Sequence, residues 1–262
     1  MPPGKAALLA LATLVALWTL LWLVSLARRD ASIADPAWGP GFVVVAWLYH
    51  LSVGGGGLRG ALLALLVTAW GLRLALHLLA RSHGKGEDRR YTAMREAQSP
   101  GFAWKSLFTV FWLQAALIWV VSAPLLAAQR AAPELGWLDL AGGALWLVGV
   151  LFETVGDAQL ARFRSDPGNR GRVLDTGLWR YTRHPNYFGD ACVWWGIFLI
   201  AVSVPGAGWT FFGPLLMTFL LLEVSGVSLL ESDLSKTKPA YRDYQRRTSA
   251  FFPWPPKPEG SG

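Results

Sequence analysis

Seven long apolar runs, separated by short polar and basic stretches, set the pattern of this chain. They cover about 6–27, 41–54, 59–80, 106–128, 137–160, 187–204 and 208–230. A helix needs about 20 residues to cross ~30 Å of hydrocarbon, so the pattern predicts an all-α, polytopic integral membrane protein with seven transmembrane helices. The first run is long enough to span and ends in Arg28-Arg29, which reads as a retained helix and not as a cleaved signal peptide. The second is short and runs into Gly54-Gly55-Gly56-Gly57, as a tilted or re-entrant helix would, because glycine accepts backbone angles that end helices. No internal repeat of the kind that builds many transporters is visible. Residues 1–262 therefore read as one integral domain, with helices one to four at about 6–128 and helices five to seven with their loops at about 137–256.

The polar stretches orient these helices. Of the 24 Lys and Arg, six fall between Arg81 and Lys105, six between Arg162 and Arg183, and six between Lys236 and Lys257. These segments follow the third, fifth and seventh runs and so share one side of the membrane. By the positive-inside rule that side is cytoplasmic, which puts the amino terminus outside and the carboxy terminus in the cytoplasm. Composition agrees: 53% hydrophobic residues, 15 Trp and 16% charged residues depart from the ~25% charged fraction of soluble domains. The net charge of +7 is accounted for by basic loops near anionic lipid. No nucleic-acid-binding motif accompanies it. A single Cys192 excludes a disulfide framework and a multi-cysteine metal site.

Candidate chemistry lies where ionisable residues meet apolar runs. Arg73, His77 and Arg81 follow at four-residue steps in the third run and share a helical face. An arginine at membrane depth costs ~2.5–3.5 kcal/mol on insertion scales and faces a partner or a cavity. Either a structural ion pair or a ligand satisfies it. Glu153, Asp157 and Arg164 fall near one face of the fifth helix. Two acids in its last turns sit against a helix end that disfavours them, and they suit hydroxyl or amide groups of a ligand. The following loop carries Asp166-Pro167-Gly168 and the arginines Arg170 and Arg172, either an ordinary turn or a set of planar donors for phosphate. Arg183-His184-Pro185-Asn186-Tyr187-Phe188-Gly189-Asp190 then opens the sixth helix. Asn186 and Asp190 suit helix capping, but capping leaves Arg183 and His184 without a reason. Glu223 and Glu231 belong to the seventh helix, and Tyr241 to Thr248 with Phe251-Phe252-Pro253-Trp254 reads as an amphipathic interfacial tail or a lid.

Several of these segments resemble a known family. Helix five with Asp157 and Arg164, the Thr176-Gly177-Leu178-Trp179-Arg180-Tyr181 segment, the run from Arg183 to Asp190 and the Tyr241-Arg242-Asp243-Tyr244 tail look like the carboxy-terminal domain of steroid 5-alpha-reductases, most closely their bacterial relatives. The likeness covers about 140–256 and extends weakly to Trp70-Gly71-Leu72-Arg73-Leu74 and Asp35-Pro36-Ala37-Trp38-Gly39. It implies a monomeric, multi-pass reductase of the bacterial inner membrane that uses NADPH from the cytoplasmic side. Its carboxy-terminal helices would grip the cofactor, and its first four helices would enclose a lipophilic substrate. The implied cofactor contacts are Asp157, Arg164, Asn186 and Asp190, with Arg73 and His77 near the nicotinamide and Glu231 near the adenosine. The reading of the residues themselves adds Arg81, Glu153, Arg172, Arg183, His184 and Tyr244 as cofactor-binding candidates.

The implied reaction is hydride transfer to the C=C of a lipophilic enone, foremost a 3-oxo-4-ene steroid, with a proton donor at the carbonyl oxygen. Mammalian steroid reductases use a glutamate early in helix two and a tyrosine in helix three. Here no Glu precedes Glu87, and the helix-three position falls near Trp70. The candidate donors are Asp35 just before helix two, Tyr49 and His50 within it, and Tyr91 after helix three; a turn, core positions and an interfacial anchor explain them equally. A second family is also similar in its Arg-His-Pro segment and late Glu: membrane methyltransferases of the isoprenylcysteine carboxyl methyltransferase type, which use S-adenosylmethionine. Phosphate chemistry separates the two. Arg73, Arg81, Arg164, Arg170 and Arg172 favour the phosphate-rich NADPH. A transporter or scaffold with a buried charge network is the third reading, and fold analogy alone does not set function.

Overall fold

The structure is a computed structural model that describes residues 1–54, 57–130, 134–224, 231 and 239–257. Every regular element among the described residues is a helix. In chain order they are α1 (Pro3–Arg28), α2 (Ala34–Val53), α3 (Gly57–Ser82), α4 (Arg89–Ala97), α5 (Phe102–Val121), α6 (Ala123–Ala127), α7 (Trp137–Ser165), α8 (Pro185–Ala201), α9 (Gly208–Val224) and α10 (Pro239–Arg247). Each of the seven apolar runs is mostly helical where it is described. Four helices, α1, α3, α5 and α7, are long and apolar enough to cross a membrane, and these make the chain a multi-pass membrane protein. Gly55, Gly56, the end of the seventh run at 225–230, and Lys236 and Lys238 lie outside the described residues.

The second helix departs from expectation. It begins at Ala34 instead of near 41, so Asp35 sits in its first turn and Pro40 inside it. Pro36, in the first turn, costs little because the first N–H groups have no intrahelical acceptor; Pro40, the seventh residue of the helix, leaves one internal hydrogen bond unmade. At its other end α2 stops at Gly54 in the left-handed region, φ +70°. The polar connection after α3 is also more ordered than a loop: Asp88 accepts a hydrogen bond from Arg90 N and caps α4. α5 contains a π-helical stretch at Leu107–Trp112.

The chain divides into two compact units. The first comprises Met1–Asp139 with Ile200–Thr210. Its centre is the antiparallel α2–α3 pair, whose backbones touch. A Cβ on Gly39 would lie 2.3 Å from the Gly71 carbonyl oxygen, and one on Gly71 would lie 2.7 Å from that of Gly39. Small residues permit this approach, and dispersion then holds the helices in a solvent as apolar as they are. α1 and α5 close over the same region, where Trp18 and Ile118 leave no room for a side chain at Gly41. Arg59 forks onto Asp139 at 2.6 and 2.9 Å with both side chains buried. The Gly136 amide adds a third bond to that carboxylate at 2.8 Å.

The second unit comprises Leu140–Leu199 with Phe211–Gly262. Glycines seven residues apart on α7 (Gly142, Gly149) face glycines seven apart on α8 (Gly196, Gly189). A Cβ on Gly149 or Gly189 would lie 2.5 Å from the other's carbonyl oxygen, and one on Gly196 would lie 2.6 Å from Gly142. This glycine seam fixes the α7–α8 register, and with it the polar residues that follow on both helices. α9 joins through Trp195 Nε1 donating to Thr218 Oγ1 at 3.2 Å.

Candidate functional site

Past Gly149 and Gly189 the α7–α8 seam turns polar. Glu153 and Asp157 stand one turn apart on α7, both buried. The Glu153 side chain lies across Gly189, where an added Cβ would come 2.8 Å from its Cγ. On α8, Asn186 donates its Nδ2 hydrogen to Asp157 Oδ1 at 3.2 Å, and its Oδ1 accepts from the Tyr187 amide at 3.1 Å. The seam therefore brings together three of the expected cofactor residues. Asp190 follows one turn along α8, half-buried. Arg164 is exposed near the end of α7, about 10 Å beyond Asp157 at 1.5 Å per residue.

The loop between α7 and α8 folds back on α7. Gly177 has φ +61° and lies so close to Gln159 that a Cβ would come within 2.3 Å of its amide nitrogen. Gln159 Oε1 accepts from Leu178 N at 3.0 Å, and Trp179 Nε1 donates to the Gly156 carbonyl at 3.0 Å. A tail strap covers the next residues. Arg183 N donates to Ser249 O at 2.9 Å, Thr182 Oγ1 to Phe251 O at 2.8 Å, and Trp254 N to Tyr181 O at 2.9 Å.

Arg183, His184 and Glu231 engage one another. Arg183 Nε and Nη2 donate to the two Glu231 oxygens at 2.7 and 2.9 Å, while Nη1 donates to the Gln245 and Thr248 carbonyls. His184 Nε2 lies 3.0 Å from Glu231 Oε1, and Gln245 Nε2 donates to Oε2 at 3.0 Å. The His184 ring stacks on Tyr187 with centroids 5.4 Å apart. Burial opposes ionisation of Glu231; the bonds from His184, Arg183 and Gln245 and the Arg183 charge overcome it and bring its pKa down to about 2. This cluster locks the tail onto the loop before α8.

Beside the lock, the end of α7, the loop after it and α10 enclose a recess of about 400 Å³, lined by Phe163, Asn169, Arg172, Val173, Asp175, Ala240, Asp243, Tyr244 and Arg247. Tyr244 is buried and its hydroxyl donates to the Trp179 carbonyl. Of the expected residues it takes Arg172 and Tyr244. Phe163, Asn169, Asp175 and Arg247 were not among the expected residues, Arg247 because it reads as a topology charge. The three-residue spacing of Tyr241, Tyr244 and Arg247, which places them near one face of a helix, is the signal that points to Arg247.

In the first unit, Arg73 and His77 are half-buried on α3 and Arg81 is exposed. The four proton-donor candidates divide between the ends of α2. Tyr91 donates its hydroxyl hydrogen to Asp35 Oδ1 at 2.5 Å, and Arg90 holds Oδ2 at 2.7 Å. Burial first, then the Asp35 carboxylate, raises the Tyr91 pKa. Glu87 ties the same region to the α1–α2 turn through Arg95 at 2.7 Å and Ala31 N at 2.8 Å. Tyr49 is buried near the far end of α2, where His50 Nδ1 lies 3.3 Å from Gln129 Oε1, roughly 22 Å along the helix from Asp35.

A family model described as a protein of unknown function (DUF1295) matches residues 21–248. The chain belongs to that family. An uncharacterized protein of Schizosaccharomyces pombe is 26% identical over 268 residues, 90% of this chain and 76% of its own length. The human 3-oxo-5-alpha-steroid 4-dehydrogenase 1 is 39% identical over 74 residues, which are 28% of each chain. The Bos taurus enzyme of the same name is 38% identical over 80 residues, 29% of this chain and 30% of its own. The relationship to steroid 5-alpha-reductases expected from the motifs is thus borne out, over less than a third of those enzymes' length. No solved structure matches the chain.

Proposed function

We propose that this protein is an NADPH-dependent membrane reductase that transfers hydride to the C=C of a lipophilic enone, foremost a 3-oxo-4-ene steroid. The observation that carries the proposal is the Asn186–Asp157 hydrogen bond beside buried Glu153 on the α7–α8 seam, with Arg164 at the end of the same helix. Buried carboxylates and an amide match the hydroxyl and carboxamide groups of a nicotinamide riboside. Exposed arginines match the phosphates of the dinucleotide, since guanidinium forks bind them bidentately. The donor set therefore fits a dinucleotide, and the resemblance adds Asp190.

NADPH, when bound, supplies the hydride; the protein supplies alignment and a dry environment. Asp157, Asn186 and Glu153 would orient the nicotinamide half, and Arg164 and Arg172 would hold phosphate. Arg183, His184 and Glu231 act as positioning residues, because their contacts fix the loop that leads into Asn186. Proton donation falls to Tyr91 with Asp35 or to Tyr49 with His50. Comparing the pH profiles of Tyr91→Phe and Tyr49→Phe assigns it to one end of α2.

Calorimetry on the detergent-purified chain tests the cofactor. NADPH is expected to bind, and Asn186→Ala to weaken it about tenfold by loss of one hydrogen bond and its partner's compensation, with helicity unchanged. Binding of S-adenosylmethionine without binding of NADPH would instead establish the methyltransferase reading. NADPH oxidation in the presence of 3-oxo-4-ene steroids and polyprenyl enones then identifies the substrate class.

A further inference from the structure

We infer that the recess between the end of α7 and α10 is the subsite for the adenosine 2′-phosphate, and that Arg172 and Arg247 select NADPH over NADH there. The inference rests on the dinucleotide reading and adds to it a place and a specificity. Phe163 lines the recess six residues beyond Asp157 on α7, roughly 9 Å along the helix. The lining continues from Phe163, beside Arg164, into the loop after α7 and α10, so a dinucleotide gripped at Asp157 and Asn186 and running past Arg164 reaches it with its adenosine end.

The lining suits that group. Its volume of about 400 Å³ lies within the range of small-molecule sites. Phe163, half-buried, offers an aromatic wall to a purine, and Tyr244, buried and pinned by its hydroxyl to the Trp179 carbonyl, also lines the recess. Arg172 and Arg247 bring two guanidinium groups to the same space, the residue type that fits a phosphate dianion bidentately. Arg247 reaches Asp175 in a long contact, 3.3 Å from Nη2 to Oδ2, with its side chain one-third exposed. A phosphate dianion makes charge-assisted bonds nearer ~2.8 Å and would displace that carboxylate. Asp175 then has a definite part: it keeps Arg247 at the recess and tempers the preference, since a carboxylate accepts from a ribose 2′-hydroxyl and repels a 2′-phosphate.

The test is calorimetry on the full chain in detergent with NADPH, NADH, adenosine 2′,5′-bisphosphate and 5′-AMP. The wild type is expected to bind the bisphosphate at least about tenfold more tightly than 5′-AMP. Arg247→Gln and Arg172→Gln should each reduce that preference about tenfold, weakening NADPH more than NADH, and Arg247→Lys should retain part of it. Asp175→Asn should strengthen binding of the bisphosphate, a gain that misfolding cannot produce. Equal weakening of NADPH and NADH in the arginine variants, or a preference that survives both substitutions, overturns this inference and leaves the cofactor assignment standing. Failure of the wild type to bind NADPH at all overturns the cofactor assignment as well.

Discussion

Glu231→Gln keeps the shape of the side chain at the tail lock and removes its charge. In the wild type the carboxylate takes two bonds from Arg183, one from His184 and one from Gln245, and its pKa falls from the ordinary 4.5 to about 2. Each tenfold change in proton affinity is worth about 1.4 kcal/mol, so the lock favours the charged form by at most ~3.5 kcal/mol. Because the carboxyl is partly reached by water and glutamine keeps some of the bonds, the variant should lose ~2 kcal/mol, about thirtyfold in the opening equilibrium of the strap. The sign follows from the direction of the shift. A carboxylate with a depressed folded-state pKa stabilises above its unfolded value, and the contribution fades as pH falls from about 4.5 towards about 2. Hydrogen exchange at the Trp254 and Lys257 amides, bonded to Tyr181 O and Arg247 O, reads the opening directly. At pH 7 these amides should exchange about thirtyfold faster in the variant. Below pH 4 the corrected wild-type protection should approach that of the variant. Equal protection at pH 7 would refute the lock as the element that holds the tail.

Three further substitutions probe the rest of the molecule. Gly189→Ala places a Cβ 2.5 Å from the Gly149 carbonyl oxygen and should cost ~1–3 kcal/mol by overpacking, whereas Gly143→Ala, with nothing within 4 Å, should leave thermal unfolding in detergent unchanged. Arg59→Met strands the buried Asp139 carboxylate and should destabilise by ~3–5 kcal/mol, with much of the loss recovered in Arg59→Met/Asp139→Leu; a double variant no better than the single would contradict that account. Tyr91→Phe removes the bond to Asp35 and should cost ~1 kcal/mol, seen as faster exchange across α4 and not elsewhere.

The helical runs were legible because hydrocarbon demands length and hydropathy, and both are local properties of sequence. The start of α2 was not. Asp35-Pro36 reads as a turn, yet in the structure it lies in the first turn of α2, and Gly39 beyond it serves the contact with Gly71, a need that is invisible until α3 is in place. Glycine at a helix crossing and glycine at a turn are the same letter with opposite consequences. The same ambiguity hid the register of α7 and α8, although Gly142 and Gly149 recur at seven residues and so do Gly189 and Gly196.

Charged residues were legible as a site but not as partners of one another. Arg183, His184 and Glu231 stood out because ionised groups at a membrane boundary need compensation. Sequence does not say whether that compensation comes from a ligand or from the chain. Four N–H groups of Arg183 are directed at Glu231, Gln245 and Thr248, so the chain itself meets most of this need. Sequence distance hides such pairing: Arg183 and Glu231 are 48 residues apart, and Asp35 and Tyr91 are 56 apart. Arg247 was hidden for the opposite reason, since beside Arg246 it looks like one more positive charge on the basic side. Only the fold of α10 against the end of α7 sets it across from Arg172 and Phe163, where a guanidinium contributes recognition as well as topology.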